Sequence, residues 1–301
     1  MTITATQVKE LRELSGAGMM DAKNALTEAS GDMTKALEIL RQRGIATAEK
    51  KSGRTAADGQ VFAVIAPDKS AGALVEVNCE TDFVAKGEAF LQMVQEVAQY
   101  VLDKAPRSIE TLTEEKKEYV VEKVAQIKEN LTIRRFARYA LSNAGLVQSY
   151  IHTGGKIGVL LQLNTGKAST AEAPDCLQLT KDIAMQIASA APEFVSRNEI
   201  PQSVIDEETR IELGKEDILK KPEEIRGKIV AGRVDKLLAQ RVLVEQPFIK
   251  DPSVTIQGLL DEKAKQWGDT LTIAGFTRFV LGEGIEKKEA NFAEEVMAQL
   301  K

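Results

Sequence analysis

The chain has 301 residues, 43% of them apolar, and a formal net charge of −5. Its length exceeds an ordinary single domain and its apolar content is enough for a substantial core, so two or more domains are expected. The acidic balance excludes a general grip on nucleic acid, which needs a basic surface to displace counterions, and leaves a protein partner or a small ligand.

In chain order, the opening MTITATQVKEL lacks the charged start and apolar run of a secretory signal. No later window reaches the roughly 18 apolar residues of a membrane span, so a soluble, cytoplasmic protein is expected. Val8, Leu11 and Leu14 share one face of a helix after Thr6; Ala36, Leu37 and Leu40 share another after Asp32, with Gly31 and Gly44 as punctuation. Between them, SGAGMMDAKNAL starts at two glycines and carries Met19 and Met20, of which a short helix buries only one well. One methionine is expected on the surface. AEKKSGRTAADG, from Ala48 to Gly59, is small, polar and aperiodic, and reads as a linker.

An internal repeat follows. VFAVIAPDKSAGALVEVN from Val61 aligns without a gap to VQSYIHTGGKIGVLLQLN from Val147, an offset of 86 positions. The register persists through AFLQMVQEVAQYVLDKAP and DCLQLTKDIAMQIASAAP, with Leu91/Leu177, Gln92/Gln178, Ala98/Ala184 and Pro106/Pro192 identical. Alternation of Ala73, Val75 and Val77 with Leu74, Glu76 and Asn78 predicts two short strands around a turn in each copy. A helix follows, its buried face in the first copy being Phe90, Val94, Val97 and Val101. IRRFARYAL from Ile133 then matches IAGFTRFVL from Ile273 at an offset of 140, so the second copy carries an insertion of about 54 residues. Within it, Pro222 suits a first helical turn, and Ile225, Ile229, Val230, Val234, Leu237 and Leu238 form an apolar stripe. With PQSVIDEETRIEL it makes either a projecting antiparallel hairpin or a helix packed on the local core. The amphipathic ANFAEEVMAQL closes the chain.

Little of this supports covalent chemistry. Cys79 and Cys176 form no CxxC pair, which argues against a disulfide framework or thiolate metal cluster and fits a reducing compartment. His152 is the only histidine and its repeat counterpart is Ala66, so a zinc site or nucleophilic triad has little support. GKAST fails as a phosphate loop because Ala168 follows Lys167, and TGGKIG lies between two strands instead of opening a helix. Gly72 and Gly158 read as hairpin glycines. Arg134, Arg135 and Arg138 lie on one strand, alternation sending Arg134 and Arg138 to one face. The three read as an ion-paired or solvated face before an RNA contact.

The repeat also isolates one stretch. NCETDFVAKGE joins strand to helix in copy one, but ETDFVAKGE faces GKASTAEAP in copy two, where only Ala85 and Ala171 match. Either Thr81 or Asp82 caps the helix while Phe83 staples it to the core, or Phe83 is an exposed wedge beside a fixed acid. A buried Phe is worth about 3 kcal/mol and should have a counterpart; its absence favours the wedge. Ser169 or Thr170 remains available to cap copy two.

TDFVA after a strand, SGAGMMDAKNAL, SYIHTGGKIGVL and GEGIEK together resemble bacterial elongation factor Ts, in order and across essentially the whole chain. The resemblance implies an α+β fold: a three-helix ubiquitin-associated-like module over 1–52, core subdomains at 53–145 and at 146–195 with 246–286, an inserted coiled-coil hairpin at 196–245, and a C-terminal helical module at 287–301. It implies nucleotide exchange on elongation factor Tu, without covalent chemistry, a cofactor of its own, nucleic acid or a membrane. Asp82 and Phe83, with Thr81 and Val84, would meet the partner's GTPase domain near its magnesium and GDP phosphates. Arg12, Met19, Met20 and Lys23 would touch the same domain, and His152 the partner's C-terminal part. Ile127, Glu129 and Asn130 match a further contact motif, with Lys128 where the family commonly has Gly. The hairpin would either pair two copies or bind the partner. Two other classes compete: an adaptor holding partners through its N-terminal helices, and, last, an enzyme using Asp82 and His152.

Overall fold

The structure is a computed structural model, and it describes residues 3–286. Three helices open it: α1 (Ala5–Ser15), α2 (Met19–Glu28) and α3 (Met33–Lys51). The cap of α1 is Thr4, not Thr6, because Thr4 and Gln7 satisfy each other's backbone amides in a capping box. Asp32 caps α3 as expected, accepting from the amides of Thr34 and Lys35. Val8, Leu11, Ala22, Ala25, Leu26 and Ala36 form the local core. Leu14 lies outside it, 64% exposed, and both methionines are on the surface, Met19 at 51% and Met20 at 63%. They form the first turn of α2, at the end of the helix beyond the buried Ala22, Ala25 and Leu26, and neither enters the core that one of them was expected to reach.

The first copy comprises β1 (Asp58–Ile65), β2 (Ala71–Cys79), α4 (Asp82–Ala85), α5 (Glu88–Lys104), α6 (Ile109–Glu115), α7 (Lys117–Ile127) and β3 (Thr132–Ala140). The second has β4 (Gly145–Ile151), β5 (Ile157–Thr165), α8 (Ala168–Glu172) and α9 (Pro174–Ala190). Then come α10 (Gln202–Leu213), α11 (Glu216–Leu219), α12 (Glu223–Arg241), β6 (Pro247–Phe248), β7 (Asp251–Thr255), α13 (Ile256–Trp267) and β8 (Leu271–Val280). This is an α+β fold with two three-stranded antiparallel sheets, β1-β2-β3 and β4-β5-β8.

The duplication is legible atom by atom. Bulges interrupt the ladders at Glu76/Val77 and Gln162/Leu163, 86 positions apart. Ala105 and Ala191 end α5 and α9 in the left-handed region, at φ 49° and 47°. Arg138 Nε donates to the Leu102 carbonyl at 3.0 Å, and Arg278 Nε to Ala188 at 3.2 Å, each satisfying a last-turn carbonyl. Phe90, Val94, Val97 and Val101 are buried as expected, against Ala73, Val75 and Val77. In copy two, Leu179, Ile183 and Ile187 pack on Val159, Leu161 and Leu163.

The other faces of the two sheets meet through Val61, Leu74, Val147, Leu160 and Phe279. Here the reading of Gly72 and Gly158 as hairpin glycines is corrected. Both lie inside strands, and a Cβ on Gly72 would stand 2.8 Å from Val147 Cγ1, one on Gly158 2.4 Å from Val61 Cγ1. They are glycines because the sheets approach closely.

Of the arginine cluster, Arg134 and Arg135 are ion-paired, while Arg138 bonds the Leu102 carbonyl. The bulge opposes Arg135 to Glu76 and leaves Arg134 as the extra residue, so strict alternation fails and both reach one carboxylate. Glu76, fully buried, accepts from Arg134 Nη1 at 2.8 Å, Arg135 Nε at 2.5 Å and the Gly282 amide at 2.8 Å. Glu283 also pairs with Arg135, at 3.1 Å, so the GEG loop after β8 is tied to the first sheet.

Gly44 does not end a helix; α3 continues to Lys51, into the expected linker. The physical reason is packing, since a Cβ on Gly44 would lie 3.3 Å from that of Ala125 in α7. In the insertion, α12 packs against α10 and α11 around Ile200, Ile218, Val230, Val234 and Leu238, a core of its own, while Ile225 is exposed. ANFAEEVMAQL lies outside the described residues. Among the described residues no helix is long and apolar enough to cross a membrane.

Candidate functional site

The site begins where β2 ends. Cys79 is buried, its thiol donates to the Thr81 carbonyl at 3.2 Å, and burial pushes it up to about 12, which leaves it inert as a nucleophile. Thr81 is extended, at φ −127° and ψ 153°, and its hydroxyl accepts from the Val84 amide at 3.3 Å, capping α4. A second acceptor comes from 48 residues away: the Glu129 carboxylate takes the amides of Glu80 and Thr81, both at 3.0 Å, and the Thr81 hydroxyl at 2.6 Å. A helix of four residues is too short to stabilise itself, so these bonds define its direction.

Each side chain of α4 then has its place. Asp82 is exposed and paired with Lys86 Nζ at 2.7 Å; that hydrogen bond holds its carboxyl below the ordinary value, and Lys156 adds to the effect. Phe83 is 83% exposed. Val84, not Phe83, packs against the core, which overturns the staple reading. Ala85 is buried and its carbonyl accepts from Gln60 Nε2 at 3.1 Å.

Copy two builds the same junction without the aromatic. Neither Ser169 nor Thr170 caps α8, which has no side-chain cap; Asp269 instead accepts the amide of Lys167, the residue that precedes the helix, at 3.1 Å. Lys167 stands 86 positions after Thr81, and Asp269 stands 140 after Glu129. The same comparison explains Lys128. It ends α7 at φ 66° where Gly268 ends α13 at φ 60°, so the position calls for the left-handed conformation that glycine adopts without steric cost. Lys128 Nζ reaches Asp21 at 3.2 Å and ties α7 to α2.

The other named residues fall into two groups. Arg12, Met19, Met20, Lys23 and His152 are exposed. His152 heads the β4–β5 turn, its Nδ1 3.0 Å from the Tyr150 hydroxyl, and the turn's Lys156 lies near enough for its charge to act on Asp82. Ile127, Glu129 and Asn130 are turned inward. Ile127 packs on the first core, and Asn130 donates from Nδ2 to the Arg54 carbonyl at 2.7 Å and from its amide to Glu80 at 2.7 Å. Sequence reading missed the role of Glu129 as acceptor for the junction amides; the signal was present, since ENLTI at Glu129 and DTLTI at Asp269 keep an acid at the same place in both copies.

The sequence matches a known group of proteins. A family model described as Elongation factor TS matches residues 80–283. A relative named Elongation factor Ts from Nostoc sp. is 44% identical over 309 residues, covering 99% of this chain and 98% of the relative. Relatives of the same name from Clostridium perfringens (46% identical, 98% of each chain) and Symbiobacterium thermophilum (45%, covering 99% of this chain and 98% of the relative) agree.

Proposed function

This chain belongs to the elongation factor Ts family, and on that premise we propose that it accelerates GDP release from elongation factor Tu by pressing Phe83 against the partner's magnesium and phosphate site. The observation that carries the reading is Phe83 itself: 83% exposed on a one-turn helix gripped by Glu129 and Gln60, with no aromatic at the duplicate junction. An apolar side chain held out in water at a fixed position is a binding anchor.

In a GTPase, magnesium and a cradle of backbone amides hold the nucleotide phosphates, and a wedge that disturbs both weakens GDP. The factor must then bind nucleotide-free partner more tightly than GDP-bound partner, and by reciprocity GDP weakens the factor equally. Burying one Phe supplies roughly 1.5–3 kcal/mol of that difference. Under this reading the rest comes from Asp82, from Arg12, Met19, Met20 and Lys23 on the N-terminal helices, and from His152. The protein acts on the partner's magnesium and GDP, makes no covalent bond, and works in the cytoplasm with the translation machinery. The inserted hairpin, whose tip exposes Ile211, Leu213, Leu219 and Ile225, is free to engage the partner or a second copy. Sedimentation with and without residues 196–245 separates the two.

The exchange reading is tested by fluorescent-GDP release from purified elongation factor Tu. Wild-type protein accelerates release, and Phe83→Ala and Asp82→Ala accelerate it less. No acceleration by wild type sinks the exchange reading, and full acceleration by Phe83→Ala sinks the wedge alone.

A further inference from the structure

We infer that Gln60 is a positioning residue that locks the Phe83 turn to the His152 turn, so that the two surfaces reach the partner as one rigid unit. The inference rests on the exchange reading above.

Gln60 lies in β1 opposite Val77, and its two amide ends face different parts of the site. Nε2 donates to the Ala85 carbonyl at 3.1 Å, one of the carbonyls that a helix end leaves without a partner. The oxygen end lies over Gly155 in the β4–β5 turn: a Cβ there would stand 1.6 Å from Gln60 Oε1 and 2.7 Å from Cδ. The next residue, Val61, donates its amide to the Gly155 carbonyl at 2.7 Å. One side chain and one backbone bond therefore connect α4 of the first copy to the turn of the second.

The duplication shows that the scaffold does not require this arrangement. The counterpart of Gln60 is Leu146, buried in the second core. The counterpart of Gly155 is Lys69, which has the same left-handed backbone, φ 58° against 67°, and makes the same bond, its carbonyl accepting from the Val147 amide at 2.9 Å. A lysine is tolerated there, so the conformation alone does not demand glycine at 155. What differs is the side chain overhead. Gln60 and Gly155 form a matched pair, one residue from each copy, beside Phe83 of the first and His152 of the second, and neither member of the pair is repeated.

The test is the rate of fluorescent-GDP release from elongation factor Tu against factor concentration. Gln60→Leu installs the residue that the fold already accepts in copy two. It lowers the saturating rate about fivefold, the factor that one neutral hydrogen bond confers, and moves the half-saturating concentration less than about twofold. A loss of folded protein would move the half-saturating concentration and leave the plateau. Gly155→Ala, which pushes the Gln60 amide off Ala85, reproduces the loss, and Gln60→Leu adds nothing in a Phe83→Ala background. An unchanged plateau in Gln60→Leu, or an equal further loss without Phe83, overturns the inference while leaving the exchange reading intact. A wild type that does not accelerate release overturns both.

Discussion

The Glu129 carboxylate accepts both the amide and the hydroxyl of Thr81, at 3.0 and 2.6 Å, and so orients the helix that presents Phe83. Asp269 accepts the corresponding amide, that of Lys167, at 3.1 Å in the half without an aromatic. Removing either carboxylate leaves a junction amide without its acceptor and costs about 1–2 kcal/mol of stability. Glu129→Ala is expected to slow nucleotide exchange as well, and Asp269→Ala to leave it unchanged. Urea unfolding and GDP-release rates on the two variants check this; an equal loss of exchange in both contradicts it.

Phe83 and Phe90 separate function from stability within eight residues of chain. Phe83 is exposed, so Phe83→Ala shifts unfolding free energy by no more than about 0.5 kcal/mol. Phe90 is buried against the first sheet, and Phe90→Ala costs about 3–5 kcal/mol. Thermal unfolding of the two variants distinguishes them, and comparable destabilisation would mean that Phe83 is packed after all.

Burial alone pushes the Glu76 carboxyl up, but the Gly282 amide and the guanidiniums of Arg134 and Arg135 outweigh it and hold the group below its ordinary 4.5. A carboxyl depressed in the folded state contributes stability that is present above its unfolded value and is lost as pH falls through the folded value. Glu76→Gln is therefore destabilised at pH 7, and its deficit shrinks as pH drops below about 4.5. Glu76→Ala, which takes the carboxylate from Arg134 and leaves Arg135 with Glu283 alone, costs about 3–5 kcal/mol. Denaturant unfolding from pH 7 to pH 3 checks both; a deficit that does not change with pH counts against the assignment.

The sheet-to-sheet contact leaves no room for a methyl at Gly72 or Gly158, whose added Cβ atoms would stand 2.8 Å from Val147 Cγ1 and 2.4 Å from Val61 Cγ1. Gly72→Ala and Gly158→Ala each lose about 1–3 kcal/mol through overpacking. Gly53→Ala, with nothing within 4 Å of its Cβ, serves as the neutral comparison in the same unfolding assay.

The sequence by itself determined what recurs at short range or by duplication. Strand alternation through Ala73, Val75 and Val77, the helical stripe of Phe90 to Val101, the two repeat offsets and the lack of a second Phe83 are periodicities and identities in one dimension. From the same source came the contrast that singled out Asp82 and Phe83. Tertiary structure decided everything that depends on which distant residues the chain reversals bring together. Local capping preference points to Ser169 or Thr170, yet neither caps α8, and Asp269 arrives from about a hundred residues away to take the Lys167 amide. Strand alternation sends Arg134 and Arg135 to opposite faces, yet a bulge aims both at Glu76. Gly44, Gly72 and Gly158 look like punctuation, yet each is a place where two elements touch. Backbone hydrogen-bonding groups and buried charges must find partners somewhere, and only the folded chain says where.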